Sequence, residues 1–224
     1  MPYRRTENVA RRLAARHDAI IAAARQTASE GGMAAVQIAP VAARAGVAAG
    51  TVYRYFPAKS DLVAALLAEI SEREIAALRG AGDAAPGPLS ALAAAIMTFA
   101  TRALRSRRLA FATIAEPVEA EADAARLTLR KALAAEFSGR IVAAVAGGRL
   151  PEQDAALAAA ALVGLLVEGL IGPLAPDASG REREIVQSLT LTALRALGVA
   201  DARARGLVVQ TVIPLGGSAA EQAS

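Results

Sequence analysis

The chain has no cysteine and no tryptophan, and a single histidine among its 224 residues. Without cysteine there is no disulfide, no thiolate metal site and no thiol nucleophile. The one imidazole, His17, lies between Arg16 and Asp18, and no glycine-rich phosphate loop follows a strand-like segment. An enzyme needs a nucleophile, a positioned base or a metal. The expectation is therefore no catalytic residue, no metal site, no cofactor and no enzymatic activity. The N-terminus, MPYRRTENVARR, is basic, but no apolar run of roughly 7–15 residues follows it, so no signal peptide is expected and the chain reads as cytoplasmic. The most apolar stretch, ALAAAALVGLLVEGLIGPL (156–174), is short and rich in Ala and Gly, which suits a helix buried on more than one side better than a membrane span.

What is present is mostly helix-forming. The chain is 54% hydrophobic with only 3% aromatic residues, and Ala, Leu and Arg dominate. These are strong helix formers, so the expected class is all-α. Helices are expected at about 18–30, 38–45, 49–56, 60–79, 89–105, 107–115, 121–146, 152–171 and 181–197, with breaks at Gly31-Gly32, Gly46, Pro57, 80–88, Pro117, 147–151 and 172–180. Residues 207–215 have strand-like character without a second strand, and the last residues look disordered. Net charge is +4, unevenly placed: residues 1–60 hold nine Arg or Lys against three acids, while the other 164 residues sum to −2. A basic head on a slightly acidic body is the electrostatic footprint of a nucleic-acid-binding module.

The stretch IAPVAARAGVAAGTVYRYFPAKSD (38–61) is the most specific part of the chain. Ile38, Val41, Ala42 and Ala45 line one helical face. Gly46 can take the left-handed conformation that ends a helix, and a second short helix then carries Thr51, Tyr53, Arg54 and Tyr55. Two short helices joined by a glycine turn form a helix-turn-helix, whose second helix enters the DNA major groove. AxxAGVxxGTVYRYFPxKxDL resembles the signature of the TetR/AcrR family of bacterial transcriptional regulators, and IIAAARQTASEGG before it resembles that family's first helix; the resemblance covers about residues 20–62.

The resemblance implies an N-terminal three-helix bundle with a helix-turn-helix and a C-terminal helical ligand-binding and dimerisation domain. The expected layout is a flexible basic arm (1–16), a DNA-binding domain (17–62), an effector-binding and dimerisation domain (63–199) and a tail (200–224). It further implies a ligand-responsive repressor that binds double-stranded DNA as a homodimer on a palindromic operator, with an unidentified small-molecule effector. The alternative is a helical dimeric interaction module without working DNA readout.

By the same resemblance Thr51 faces base edges or a phosphate, Tyr53 and Tyr55 reach the backbone, and Lys59 clamps a phosphate. Arg54 is the candidate for guanine readout, a contact that discriminates by about 1–3 kcal/mol. Gln37 can donate to the backbone, and the short Ala49 and Gly50 let the helix N-terminus approach a phosphate. Ala48 lacks the oxygen of an N-cap.

In the body, Phe99, Arg102, Phe111, Ile114, Glu116, Leu129, Leu133 and Glu168 are candidates for an effector pocket. Glu116 and Glu168 stand among apolar residues and require a partner, protonation or a ligand. Arg102 or Arg105 is the expected partner. Gly164 and Gly169 are expected to let a partner helix approach, and Ile185, Leu189 and Leu197 to join an intersubunit four-helix bundle.

Overall fold

The computed structural model describes residues 3–116 and 120–211, and every regular element among them is helical. Ten α-helices run in order: α1 (Tyr3–Gly31), α2 (Ile38–Arg44), α3 (Ala49–Tyr55), α4 (Lys59–Asp83), α5 (Pro88–Arg105), α6 (Arg107–Ile114), α7 (Ala120–Ala146), α8 (Ala155–Leu170), α9 (Glu182–Ala196) and α10 (Asp201–Gln210). A 3-10 turn, Met33–Ala35, joins α1 to α2.

The chain forms two hydrophobic cores strung along one helix. The head core gathers Ile20, Ala24, Val41, Val52, Phe56, Leu62 and Leu66 from α1 to α4. The body core gathers residues of α4, α5 and α7 to α10, among them Leu78, Leu92, Ile96, Leu133, Phe137 and Leu166. Helix α4 supplies both: Ile70 belongs to the head core and Ile75 to the body core. Helix α6 adds a second connection, because it packs on α1 and buries Ala112 completely in the head core.

The turn between α2 and α3 follows from one residue. Gly46 has φ 66°, its amide donates to the Ala43 carbonyl at 3.2 Å, and the Val47 amide donates to the Ala42 carbonyl at 3.0 Å. This pair of bonds satisfies the last carbonyls of α2 and requires the left-handed conformation that glycine adopts without a Cβ penalty. Val47 then packs, half-buried, against the head core.

Several expectations are revised. Residues 3–16 are not a flexible arm: they continue α1, which starts at Tyr3 rather than at Asp18. That segment contains no Gly or Pro to stop a helix, and Asp18 does not act as a cap. Residues 201–210 form α10, packed on α9, so 207–210 are helical and not strand-like; 212–224 and Pro117 lie outside the described residues. Helix α4 continues to Asp83, shortening the expected 80–88 loop.

Ile185 and Leu197 are buried in the chain's own body core. Gly169 makes room for Leu189 of α9, whose Cδ1 lies 2.8 Å from where a Cβ would stand, so its space is taken within the chain. Gly164 has open space around it. The outward side of α8 carries Leu157, Ala160 and Ala161 with Leu165, and Leu157 is 69% exposed.

Candidate nucleic-acid interface

Helix α3 begins without a side-chain cap. Ala48 occupies the N-cap position in extended backbone (φ −69°, ψ 147°), and its carbonyl accepts from Thr51 at 2.8 Å. Helical geometry leaves the amides of Ala49 and Gly50 without an intrahelical acceptor, and both residues are exposed. An uncapped helix N-terminus with short side chains is where an anion is best accommodated.

The faces of α3 separate cleanly. Val52 is completely buried and Phe56, just past the helix end, is nearly so. Tyr53 is 52% exposed and Arg54 is exposed; among the described residues no carboxylate pairs with Arg54. Thr51 is half-buried at the helix start, and Lys59, half-buried, opens α4. Asp61 caps that helix by accepting from the Ala58 amide at 2.9 Å. Gln37, at the N-cap position of α2, is exposed and donates to the Ala34 carbonyl at 3.0 Å. Arg44 does not join the free cations of this face, since Glu30 takes its guanidinium in a two-point pair that holds the Glu30 carboxyl below its usual range.

Tyr55 stands apart from its neighbours. It is half-buried, its hydroxyl donates to the Leu13 carbonyl at 3.3 Å, and its ring lies 6.2 Å from that of His17, which in turn packs 5.3 Å from Phe56. The structure thus uses Tyr55 to fasten the N-terminal part of α1 beside α3. Sequence reasoning did not foresee this because it began α1 at Asp18. The same fastening holds Arg11, Arg12 and Arg16, all exposed, on a helix adjoining the recognition helix.

The body residues do not form one pocket. Phe99, Arg102, Ile114 and Leu129 surround a small cavity of about 40 Å³, where Arg102 pairs with Glu74 at 2.7 and 2.8 Å. Glu74, missed in the sequence reading, holds the Arg102 guanidinium above its ordinary pKa. Leu133 is plain core, and Phe111 is 37% exposed on α6, away from both spaces. A larger open cleft of about 760 Å³ lies among α6, α7 and α8, lined by Ile114, Glu116, Arg126, Leu127, Val167 and Glu168 among others.

The two glutamates are not stranded in an apolar core, nor do they pair with Arg102 or Arg105 in the described contacts. The Glu116 carboxylate accepts from the Met33 amide at 2.9 Å, and that of Glu168, exposed on α8, from the Leu174 amide at 2.9 Å. The donors come from a turn 83 residues away and from the loop after α8. Arg126, also missed, has no local sequence signal that marks it.

The head is a helix-turn-helix with an open recognition-helix N-terminus, the architecture of helical DNA-binding modules, and it is set on a larger helical body with a cleft. Residues 20–66, the head of the chain, match the family described as bacterial regulatory proteins, tetR family. Over 58 residues the chain is 50% identical to the HTH-type transcriptional repressor KstR of Rhodococcus jostii, a match spanning 26% of this chain and 27% of that relative. Solved structures extend the likeness to the body. RolR in complex with resorcinol is 23% identical, with 90% of this chain and 96% of that chain covered at a TM-score of 0.65. FadR from Bacillus subtilis in complex with stearoyl-CoA is 22% identical, covering 82% and 99%, at a TM-score of 0.68.

Proposed function

We infer that the protein is a ligand-responsive, sequence-specific repressor that acts in the cytoplasm as a homodimer on a palindromic operator. The observation that carries this reading is the start of α3, where the uncapped N-terminus and the outward, unpaired Tyr53 and Arg54 form one exposed surface above a buried Val52 and Phe56. Ala49 and Gly50 admit a phosphate to the helix end, and Thr51 and Tyr53 add hydroxyls for backbone or base. Arg54 reads a base edge, and Lys59 holds a phosphate at the start of α4. Repression, rather than activation, follows the KstR relatives, which are repressors.

The exposed apolar side of α8 supports dimerisation. Leu157, Ala161 and Leu165 line an open groove of about 290 Å³ with Ala193 and Ala196 of α9, and small residues there let a second copy's helices come close. Two heads then fall on successive major grooves. The arginine-bearing start of α1 lies along the phosphate backbone beside each recognition helix, so deleting residues 1–12 weakens binding to all sequences alike and flattens its salt dependence. The body cleft takes the effector, as RolR holds resorcinol and FadR holds stearoyl-CoA.

Selection of bound fragments from random DNA by the purified full chain tests the reading. A palindrome with half-sites about one helical turn apart is the expected product, with affinity falling steeply as salt rises. No enrichment at low salt overturns it in favour of a helical interaction module.

A further inference from the structure

We propose that the cleft among α6, α7 and α8 binds an amphiphile with an anionic head group, carboxylate or phosphate, that Arg126 holds the head group, and that its arrival loosens the Glu116 latch on the DNA-binding head. The proposal rests on the reading of the body as the effector-binding part.

Arg126 is 4% exposed, yet it lines the cleft. One guanidinium nitrogen donates to the Ala112 carbonyl at 2.6 Å, while its Nε is buried with no hydrogen-bond partner. Among the described residues no carboxylate reaches it within ion-pair distance; Glu116 and Asp123 act on it only from further off. Burial lowers its pKa, and an arginine still stays charged at neutral pH. A buried guanidinium with unmet donors is a costly feature unless something completes it, and a two-oxygen anion matches its fork geometry.

Of the other charges in the cleft, Asp123 and Arg130 are exposed to solvent, and the two glutamates are hydrogen-bonded. Glu116 is engaged by the Met33 amide and Glu168 by the Leu174 amide. Gly172 leaves the space the Glu168 carboxylate needs, since a Cβ there would stand 2.4 Å from Oε2. The unmet buried charge is therefore positive, which selects an anion over a cation. The lining is mixed: Ile114, Leu127 and Val167 supply an apolar side, and the charged side chains of Glu116, Asp123, Arg126, Arg130 and Glu168 supply the polar one, which suits an amphiphile. At about 760 Å³ the cleft lies within the roughly 300–1,000 Å³ of small-molecule sites.

Both contacts beside Arg126 lead to the head. Ala112, whose carbonyl it holds, is buried in the head core. Glu116 bonds Met33, and Gly32 beside it has φ 76° with only 3.0 Å between a notional Cβ and the Glu116 carboxylate. A second anion on Arg126 repels Glu116 and competes for the same cation, which weakens the Met33 bond. DNA and ligand then oppose each other by equal factors.

Calorimetry of the full chain with decanoate, decyl phosphate, decanol, inorganic phosphate and decyltrimethylammonium tests this. Decanoate or decyl phosphate should bind at least about tenfold more tightly than decanol, and which of the two is tighter identifies the head group. Arg126→Gln should erase the preference for acid over alcohol, Arg126→Lys should keep part of it, and Glu116→Gln should tighten acid binding several-fold. Equal binding of acid and alcohol, tighter binding of the ammonium, inorganic phosphate alone binding, or no binding by any probe overturns the proposal. Should Arg126→Gln fail to fold, the Lys and Glu116→Gln variants still decide. On an operator from the DNA selection, the preferred acid should lower affinity, and less so in Glu116→Gln. Absence of any DNA binding by the unliganded protein would count against the repressor reading while leaving the calorimetric result intact.

Discussion

The head and the body of this protein are built from the same helical material but carry function in opposite ways. In the head, the residues of the recognition motif lie within one stretch, from Gln37 to Lys59, and their placement follows from which side of a short helix they occupy; the α1 arginines are fastened beside it by Tyr55. In the body, the groups that matter come from distant parts of the chain: Arg102 meets Glu74 across 28 residues, and Glu116 meets Met33 across 83. A surface that must match a rigid duplex is economically made from one local motif. A cleft that must enclose a small molecule needs several helices, and its chemistry emerges only when they pack.

The largest expected effect tests whether the two cores are separable. Phe56 is 4% exposed in the head core and Phe137 is fully buried in the body core. Each Phe→Ala change should cost about 3–5 kcal/mol. Thermal unfolding, followed together with the mass of the proposed dimer, should show Phe56→Ala losing DNA binding while the body stays assembled. Phe137→Ala should lose both. If Phe56→Ala also dissolves the dimer, α4 and α6 couple the cores into one cooperative unit.

The next effect is confined to the head. Arg54→Ala should weaken operator binding by about 1–3 kcal/mol and relax preference at one position of each half-site, because a base-edge contact is lost while the phosphate contacts stay. Uniform weakening across all sequences, measured by competition binding, would reassign Arg54 to a phosphate.

How much of this was legible beforehand differs by region for the same reason. The α2 turn was readable because Gly46 and Val47 act on carbonyls three to five residues away. The inward face of α2 followed from helical spacing: Ile38, Val41 and Ala42 are buried in the head core. Glu168 was misread because a carboxylate in an apolar sequence suggests burial, whereas helix orientation turns it outward and the loop to Leu174 brings back a donor. No local pattern encodes that return. The helical start of α1 was missed for a different reason: a basic terminal segment reads as an arm, and the Tyr55 hydroxyl that fastens it at Leu13 lies 42 residues on.

A smaller effect sharpens the account of α3. Ala48 already has the extended backbone of an N-cap residue but no side-chain oxygen to offer. Ala48→Ser should stabilise the head by about 0.5–2 kcal/mol, read as a higher midpoint in denaturant with an unchanged slope. The same hydroxyl takes up an amide at the helix end, so phosphate affinity there should not rise with stability. A parallel gain in both would mean that the helix N-terminus is not where the phosphate sits.

The smallest effect contrasts the exposed ion pair of the head with the half-buried one of the body. Arg44 lowers the Glu30 pKa through its hydrogen bonds, and the pair joins α1 to α2 at the surface. A carboxylate with a depressed folded-state pKa contributes stability above its unfolded pKa of about 4.3, and loses that contribution as pH falls through the folded value. Glu30→Gln should therefore melt slightly below the wild type at neutral pH and converge with it in acid. Added salt should also narrow the neutral-pH gap, since exposed pairs are screened. Arg102→Gln, which breaks the pair with the more sheltered Glu74, should show a gap that salt narrows less. Equal salt sensitivity of the two would mean that solvent reaches the α4–α5 pair as freely as the surface of the head, and that the small cavity beside it is wet.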